Sequence, residues 1–167
     1  MLRIIKLLDD INNKVGEIIS WFVVVLMIVI CIDVIMRYLF DFTFIWVTEI
    51  ETYLFGSSFI LASGYTYLHD KHVRVDVFYS KWSDKTKAII NLIGNIFFLL
   101  PWSLIIIICS WEFAYMSFSI GERSPQPGGL PALYILKFSI TVGFTLLFIQ
   151  GISSVLKSIV TIRKIDK

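Results

Sequence analysis

The stretch IISWFVVVLMIVICIDVIM, residues 18–36, decides the fold class of this chain. Only Ser20 and Asp33 within it are strongly polar. An α-helix rises about 1.5 Å per residue, so a stretch of this length reaches across a hydrocarbon layer about 30 Å thick. These residues therefore predict a membrane-spanning helix.

Three further apolar runs follow, at about residues 52–68, 88–111 and 133–155. The first of these could begin as early as Trp46. The stretch SPQPGGLP, residues 124–131, separates the last two runs and ends any helix there, because proline and glycine interrupt helical hydrogen bonding. The pattern predicts four transmembrane helices.

The composition supports this interpretation. The chain has 167 residues, of which 57% are hydrophobic and 17% are charged, and its mean hydropathy is +0.79. A soluble domain of this size needs more polar residues to cover its surface. We therefore expect one all-α integral membrane domain, residues 1–167, in contact with membrane lipid. The net charge of +2 gives no indication of a nucleic-acid partner.

Residues 1–16 form an amphipathic N-terminal segment. Its apolar residues recur at helical spacing and are Ile4, Leu7, Leu8, Ile11 and Val15. This pattern is typical of a short helix that lies at the membrane interface. A plain N-terminal extension of the first spanning helix explains it nearly as well.

Basic residues near the spans predict the orientation, because they concentrate on the cytoplasmic side. Twelve lie in the N-terminal segment, the loop between spans 2 and 3, and the tail, namely Arg3, Lys6, Lys14, Lys71, Arg74, Lys81, Lys85, Lys87, Lys157, Arg163, Lys164 and Lys167. The opposite side has three, namely Arg37, Arg123 and Lys137. We therefore expect both termini in the cytoplasm.

Several charged residues lie in or beside the predicted spans. Asp33 and Arg37 are four residues apart on one helix face, so they can pair with each other. Lys137 can extend to the outer interface or pair with an acidic partner such as Glu112 or Glu122. Because no acidic residues converge at mid-membrane depth, the sequence does not indicate a self-contained ion path.

Metal and enzyme functions find little support. His69 and His72 are three residues apart, but no histidine lies on another span, whereas two axial haem ligands must come from facing helices. Cys31 and Cys109 lie in apolar runs without metal-ligand spacing and are typical of packing residues. No nucleophile and base lie together at membrane depth. We expect neither an enzyme nor a bound cofactor or metal.

Small and amide residues predict close helix packing. The small residues of spans 2 and 4 are Gly56, Ser57, Ser63, Gly64, Ser139, Gly143 and Gly151. They allow helix backbones to approach closely in lipid. Asn91, Asn95 and Gln150 can add hydrogen bonds between helices. Span 3 has mostly bulky apolar side chains, which suit a surface facing lipid or a partner.

Two groups of motifs carry a family resemblance. Trp46 and Glu49 lead into span 2, which HVRVD (72–76) follows, while GERS (121–124) and PGGLP (127–131) precede Lys137 and LLFIQG (146–151). In order and spacing these motifs resemble the small membrane subunit, or DctQ-like component, of tripartite ATP-independent periplasmic (TRAP) transporters. The resemblance covers roughly residues 20–155. It departs from the family pattern at Thr141, where a proline is expected.

The resemblance implies a bacterial inner-membrane protein with two partners. A periplasmic substrate-binding receptor captures an organic anion, often a carboxylate, and delivers it to a large multi-span subunit driven by a sodium gradient. The small subunit would extend the fixed scaffold and bind no substrate. Two alternatives stay open: a subunit of a membrane redox enzyme or b-type cytochrome, and a small exporter that forms a pore by self-association.

The candidate residues for partner contacts or structural roles fall in four places. They are Asp33 and Arg37 of span 1 with Glu49 just before span 2, His72, Arg74 and Asp76 of the loop after span 2, Glu122 and Arg123 of the loop after span 3, and Lys137 and Gln150 of span 4. His72, Arg74 and Asp76 alternate with valines, so they predict an extended segment with one polar side, or a solvated loop. Residues 121–131 predict an ordered outer rim, or a stiff connector.

Overall fold

The computed structural model describes residues 1–71, 79 and 82–165. Its helices are α1 (Leu2–Phe40), α2 (Ile45–Leu61), α3 (Ser63–Leu68), α4 (Asp84–Gly94), α5 (Leu100–Ser119) and α6 (Tyr134–Ile165). A π-helical segment, Asn95–Leu99, joins α4 to α5. The described part of the chain contains no β-strand.

These helices form four rods that match the four predicted spans in order. The rods α1, α4 to α5, and α6 are each long and apolar enough to cross a membrane. The second rod consists of α2, with 17 residues, and α3, with 6, interrupted at Ala62. The fold is therefore all-α with four helices, as the sequence predicts.

The N-terminal segment is continuous with the first span. Helix α1 runs for 39 residues without a break, so the amphipathic segment is an N-terminal extension of the spanning helix. It ends at Asp41, whose left-handed conformation (φ 50°) stops the helix. Of the two alternatives for this segment, the extension agrees with the structure.

The π-helical segment has a cause in the sequence. Pro101 has no N–H to donate to the carbonyl of Phe97, and its ring would press against that carbonyl in a regular α-helix. The backbone instead widens, and the Leu100 N–H bonds to the Asn95 carbonyl, five residues back. Regular α-helix resumes as α5, with the proline in its first turn.

Helix α6 is the centre of the bundle. It contacts α1, α2, α3, α4, the π-helical segment and α5, whereas α4 and α5 pack chiefly on α6. Two glycines of α6 permit close approach, since a Cβ on Gly143 would overlap Ile60 and one on Gly151 would overlap Leu99. Small residues thus set the helix spacing in the way the sequence predicts.

Candidate partner interface and structural polar clusters

Glu49 fastens the loop between α5 and α6. One carboxylate oxygen accepts a hydrogen bond from the Ser124 hydroxyl, and the other accepts one from the Leu130 N–H at 2.6 Å. The Ser124 N–H also bonds to the Leu130 carbonyl at 3.0 Å, which closes the loop on itself. We call Glu49, Ser124 and Leu130 the Glu49 clasp. The sequence identified both Glu49 and the loop, but not their contact.

Lys137 pairs with Glu122. Its ammonium lies 2.5 Å from a Glu122 carboxylate oxygen and 3.9 Å from the centre of the Phe113 ring. The hydrogen bond from Lys137 lowers the pKa of Glu122 below its usual value. Of the two acidic partners predicted for Lys137, the structure pairs it with Glu122. Arg123, beside this pair, is exposed on the surface of the loop.

Asp33 and Arg37 form the predicted pair along α1. The Arg37 guanidinium donates to the Asp33 carboxylate at 2.6 Å. The Asp33 side chain is 6% exposed, whereas that of Arg37 is 49% exposed. Asp33 is therefore covered by the bundle, while Arg37 extends to its surface.

A second polar cluster joins α1 to α6 near the two chain ends. The Asp9 carboxylate accepts hydrogen bonds from Gln150 Nε2 at 3.0 Å, Ser153 Oγ at 2.7 Å and Lys157 Nζ at 2.9 Å. The Asn12 Nδ2 donates to Gln150 Oε1 at 2.9 Å. We call these five residues the Asp9 cluster. Asn12 and Gln150 are each 1% exposed, so the cluster is part of the interior.

Only Gln150 of this cluster was a predicted site residue. A signal for the others exists in the sequence, because Asp9 and Asn12 share one helix face, as do Gln150, Ser153 and Lys157. Two polar faces of helical spacing at opposite ends of the chain suggest a buried contact, but nothing in the sequence pairs one with the other.

One of the two predicted asparagines joins helices. Asn95 Nδ2 donates to Ser154 Oγ of α6 at 3.0 Å, and the Tyr67 hydroxyl of α3 donates to Asn95 Oδ1 at 2.7 Å. Asn91 Nδ2 instead donates to the hydroxyl of Tyr79, which precedes α4, at 2.9 Å. Asn95 therefore makes the interhelical hydrogen bonds that the sequence predicts.

Thr141 is the position at which the resemblance leads us to expect a proline. Helix α6 passes through it without interruption. Its hydroxyl lies 2.8 Å from the hydroxyl of Ser110 on α5, within hydrogen-bonding distance, and both residues are buried. At this position the chain has an interhelical hydrogen bond in an unbroken helix.

Of the two histidines, His69 belongs to the described residues and His72 does not. His69 lies with its Nε2 3.1 Å from Asn13 Oδ1 and its ring centre 4.4 Å from that of Tyr65. The predicted site residues His72, Arg74 and Asp76 lie outside the described residues. Among residues 1–71, 79 and 82–165, no group of three or more His, Cys, Asp or Glu side chains is arranged to hold a metal ion.

Comparison with known proteins gives one match. The family model described as tripartite ATP-independent periplasmic transporters, DctQ component, matches residues 26–161. No curated protein and no solved structure matches the chain. The family match covers the C-terminal part of α1, the second and third rods, most of α6, the Glu49 clasp and the α6 side of the Asp9 cluster. The chain therefore belongs to the DctQ family, the small membrane component of TRAP transporters.

Proposed function

We propose that this chain is the fixed scaffold subunit of a sodium-driven TRAP transporter for organic anions, carboxylates among them, and that it binds no substrate itself. The observation that carries the proposal is that the polar side chains described above bond to one another within the chain. The Glu49 clasp, the Asp9 cluster and the two ion pairs hold the chain's own helices and loop together. A subunit whose polar groups bond internally is suited to support a large subunit that moves during transport.

The ion pairs support this role. Glu122 neutralises Lys137, and Asp33 and Arg37 neutralise each other, so these four charged groups near the outer ends of the helices have partners within the subunit. A residue that binds an organic anion or sodium must exchange its partner during each cycle. Short pairs within a single rigid bundle suit a static role better.

The outer surface offers contact area for a large subunit. Bulky side chains project from α5, among them Trp102, Ile105 and Trp111, each at least 50% exposed. The spanning part of α1 is similarly apolar, with Trp21 and Met27 more than 60% exposed. In a membrane such faces contact lipid or the helices of a partner. We propose that one of them carries the large multi-span subunit.

Transport assays test the proposal. The purified chain, reconstituted alone into liposomes, is expected to move no organic anion under an imposed sodium gradient. Adding the large subunit and the periplasmic receptor is expected to restore uptake that requires sodium. Robust uptake by the chain alone would contradict the scaffold role and favour a self-associating exporter. A visible spectrum with a Soret band would instead favour the b-type cytochrome.

The orientation follows from the basic residues and is also a proposal. We place both termini and the loop between the second and third rods in the cytoplasm, and the loop at 121–131 in the periplasm of a bacterial inner membrane. Cysteines introduced at Asp84 and Asp166 are expected to be shielded from a membrane-impermeant thiol reagent in intact cells. A cysteine at Gln126 is expected to react, and the reverse pattern would invert the topology.

The loop at 121–131 is proposed to form an outer rim that holds the large subunit or receives the receptor. Its support is the Glu49 clasp, which orders the loop, and the exposed Arg123. Arg123→Ala leaves the clasp intact and is expected to lower receptor-dependent uptake. Gln126→Ala, also exposed, is the matched control. Normal uptake in the Arg123 variant at equal protein level would leave a connector role.

His72, Arg74 and Asp76 are proposed to contact the large subunit on the cytoplasmic side. The support is their alternation with valines, which can place three polar groups on one side of a short extended segment. Replacing all three with alanine is expected to lower co-purification of the large subunit while membrane insertion stays normal. Unchanged co-purification would indicate a loop that only sets topology.

A further inference from the structure

The first four turns of α1 have an apolar side that no other described helix covers. Ile4, Leu7 and Ile11 are 55%, 60% and 37% exposed and follow each other at helical spacing. The opposite side, with Ile5 and Asn12, is buried against the bundle. The apolar pattern that predicted an amphipathic segment is therefore present, but it points outward.

Basic side chains border this apolar strip. Arg3, Lys6 and Lys14 are exposed on the same part of α1, with Asp10 as the nearby acid. A groove of about 370 Å³ runs between them, lined by Arg3, Lys6, Leu7, Asp10, Ile11 and Lys14. Three bases against one acid give the groove a positive charge, so it suits an anionic ligand with an apolar part.

Contacts to α3 and α6 hold these turns of α1 against the bundle. Asn12 Nδ2 donates to the Leu146 carbonyl at 3.3 Å, and Asn12 Oδ1 packs against Gly64. Both partners lie within predicted spans, so the inner end of the groove lies beside the membrane-spanning part of the bundle. At about 1.5 Å per residue, Arg3 and Lys6 lie roughly 13 and 9 Å beyond Asn12 along α1, away from that part.

The Asp9 cluster holds this arrangement in place. Asp9 lies on the bundle side of the same turns, and Lys157 holds its carboxylate at 2.8 Å. The extension therefore presents its bases from a fixed helix, not from a free tail. The apolar strip also continues into the span, since Ile18 and Trp21 are 60% and 68% exposed on the same side.

We propose that this groove binds an anionic phospholipid of the leaflet at which both chain ends lie. Arg3 and Lys6 contact its phosphate, Lys14 adds positive charge further along the helix, and its acyl chains lie along Leu7 and Ile11 toward Ile18. Charge selects the headgroup, and the continuous apolar strip selects a lipid over a soluble phosphate. The bound lipid adds to the stability of the contact between α1 and α6.

Native mass spectrometry of the full chain in a zwitterionic detergent tests the site, with phosphatidylglycerol and phosphatidylcholine as probes. The wild type is expected to bind phosphatidylglycerol more tightly. A base near a membrane surface contributes about fivefold in affinity for an anionic lipid, so Arg3→Gln, Lys6→Gln and Lys14→Gln together are expected to weaken binding by on the order of 100-fold. Asp10→Asn is expected to strengthen it by about fivefold.

A matched control removes three bases of the C-terminal tail, which the proposed orientation places on the same side of the membrane. Arg163→Gln, Lys164→Gln and Lys167→Gln together are expected to keep affinity close to wild type. Equal loss in both triple variants would overturn the site, as would equal binding of phosphatidylcholine or displacement of the lipid by inorganic phosphate. Each variant is expected to stay folded, because all the substituted side chains in the groove are exposed. Thermal unfolding checks this.

Discussion

The two ends of the bundle are held by polar contacts of different construction. At the loop end, Glu49 binds an irregular backbone through Ser124 and Leu130. At the end with the chain termini, side chains of two regular helices meet, and Asp9 accepts from three residues of α6. One contact orders a loop, whereas the other fixes how two long helices pack. We therefore expect damage at the terminal end to cost more global stability.

The largest effect is expected from Gly64→Ala. A Cβ there would overlap Asn12 Oδ1 and lie 3.0 Å from the Leu146 carbonyl carbon, so α1, α3 and α6 would have to separate. Overpacking of this kind is expected to lower the free energy of unfolding by about 3 kcal/mol. Gly94→Ala is the control, because no described atom outside its own helix lies within 4 Å of its added Cβ. Equal losses in denaturant unfolding would contradict the close approach.

Asp9→Asn is expected to have the next largest effect. It removes the charge that Lys157 pairs with and turns one acceptor atom into a donor facing other donors. Breaking these charged hydrogen bonds is expected to cost about 2 kcal/mol. Asp10→Asn, the exposed neighbour, is expected to change the free energy of unfolding by less than about 0.5 kcal/mol in zwitterionic detergent. Equal effects would mean that the Asp9 cluster does not join the two helices.

Glu49→Gln is expected to act locally. It removes one of the two acceptors in the clasp, so amide hydrogen exchange at Leu130 should accelerate by about tenfold, which corresponds to about 1.4 kcal/mol. Global unfolding should change less than in Asp9→Asn. Glu112→Gln, exposed on α5, should leave the loop's exchange unchanged. A larger global loss in Glu49→Gln than in Asp9→Asn would reverse the comparison between the two ends.

The smallest effect is expected from pH at the Glu122–Lys137 pair. Hydrogen bonding lowers the pKa of Glu122 in the folded chain below the usual glutamate value of 4.5. The pair therefore contributes its full stability above that value and loses it as pH falls through the lower pKa of the folded chain. The difference in stability between the wild type and Glu122→Gln should shrink below about pH 4.5. A difference that grows on acidification would contradict the pairing.

The sequence predicts the contacts at the loop end of the bundle better than those at the end with the chain termini. The prolines and glycines of residues 124–131 indicate a loop. Few charged residues lie beside it, so the sequence alone identifies Glu49, Glu122 and Lys137 as candidate residues. Asp9 looks like an ordinary solvent-facing helix residue, and Ser153 lies among the apolar residues of span 4. Their contact depends on α1 extending straight past α6, whereas the amphipathic pattern of residues 1–16 favours a separate interfacial helix slightly over an extension.

The direction of that amphipathic segment could not be predicted for a related reason. An apolar strip indicates an apolar environment, but in a membrane that environment can be lipid or protein. Ile4, Leu7 and Ile11 face outward, while Asn12 and Gly16 face the bundle, because hydrogen bonds and close backbone approach join helices where lipid supplies no hydrophobic drive. Likewise, the sequence offers two acidic partners for Lys137. The turn at Gly121 in the structure brings Glu122 back to Lys137.

Kinetics of the assembled transporter test the scaffold role most directly. Asp33→Asn with Arg37→Gln, and separately Glu122→Gln with Lys137→Gln, neutralise the two charged pairs near the outer ends of the helices. After reconstitution with the large subunit and receptor, the KM for substrate and for sodium is measured, with uptake normalised to assembled complex. We predict that both KM values match the wild type in each variant, with changes confined to the amount of complex. A shifted KM for either substrate or sodium would show that this subunit takes part in transport and would contradict the account.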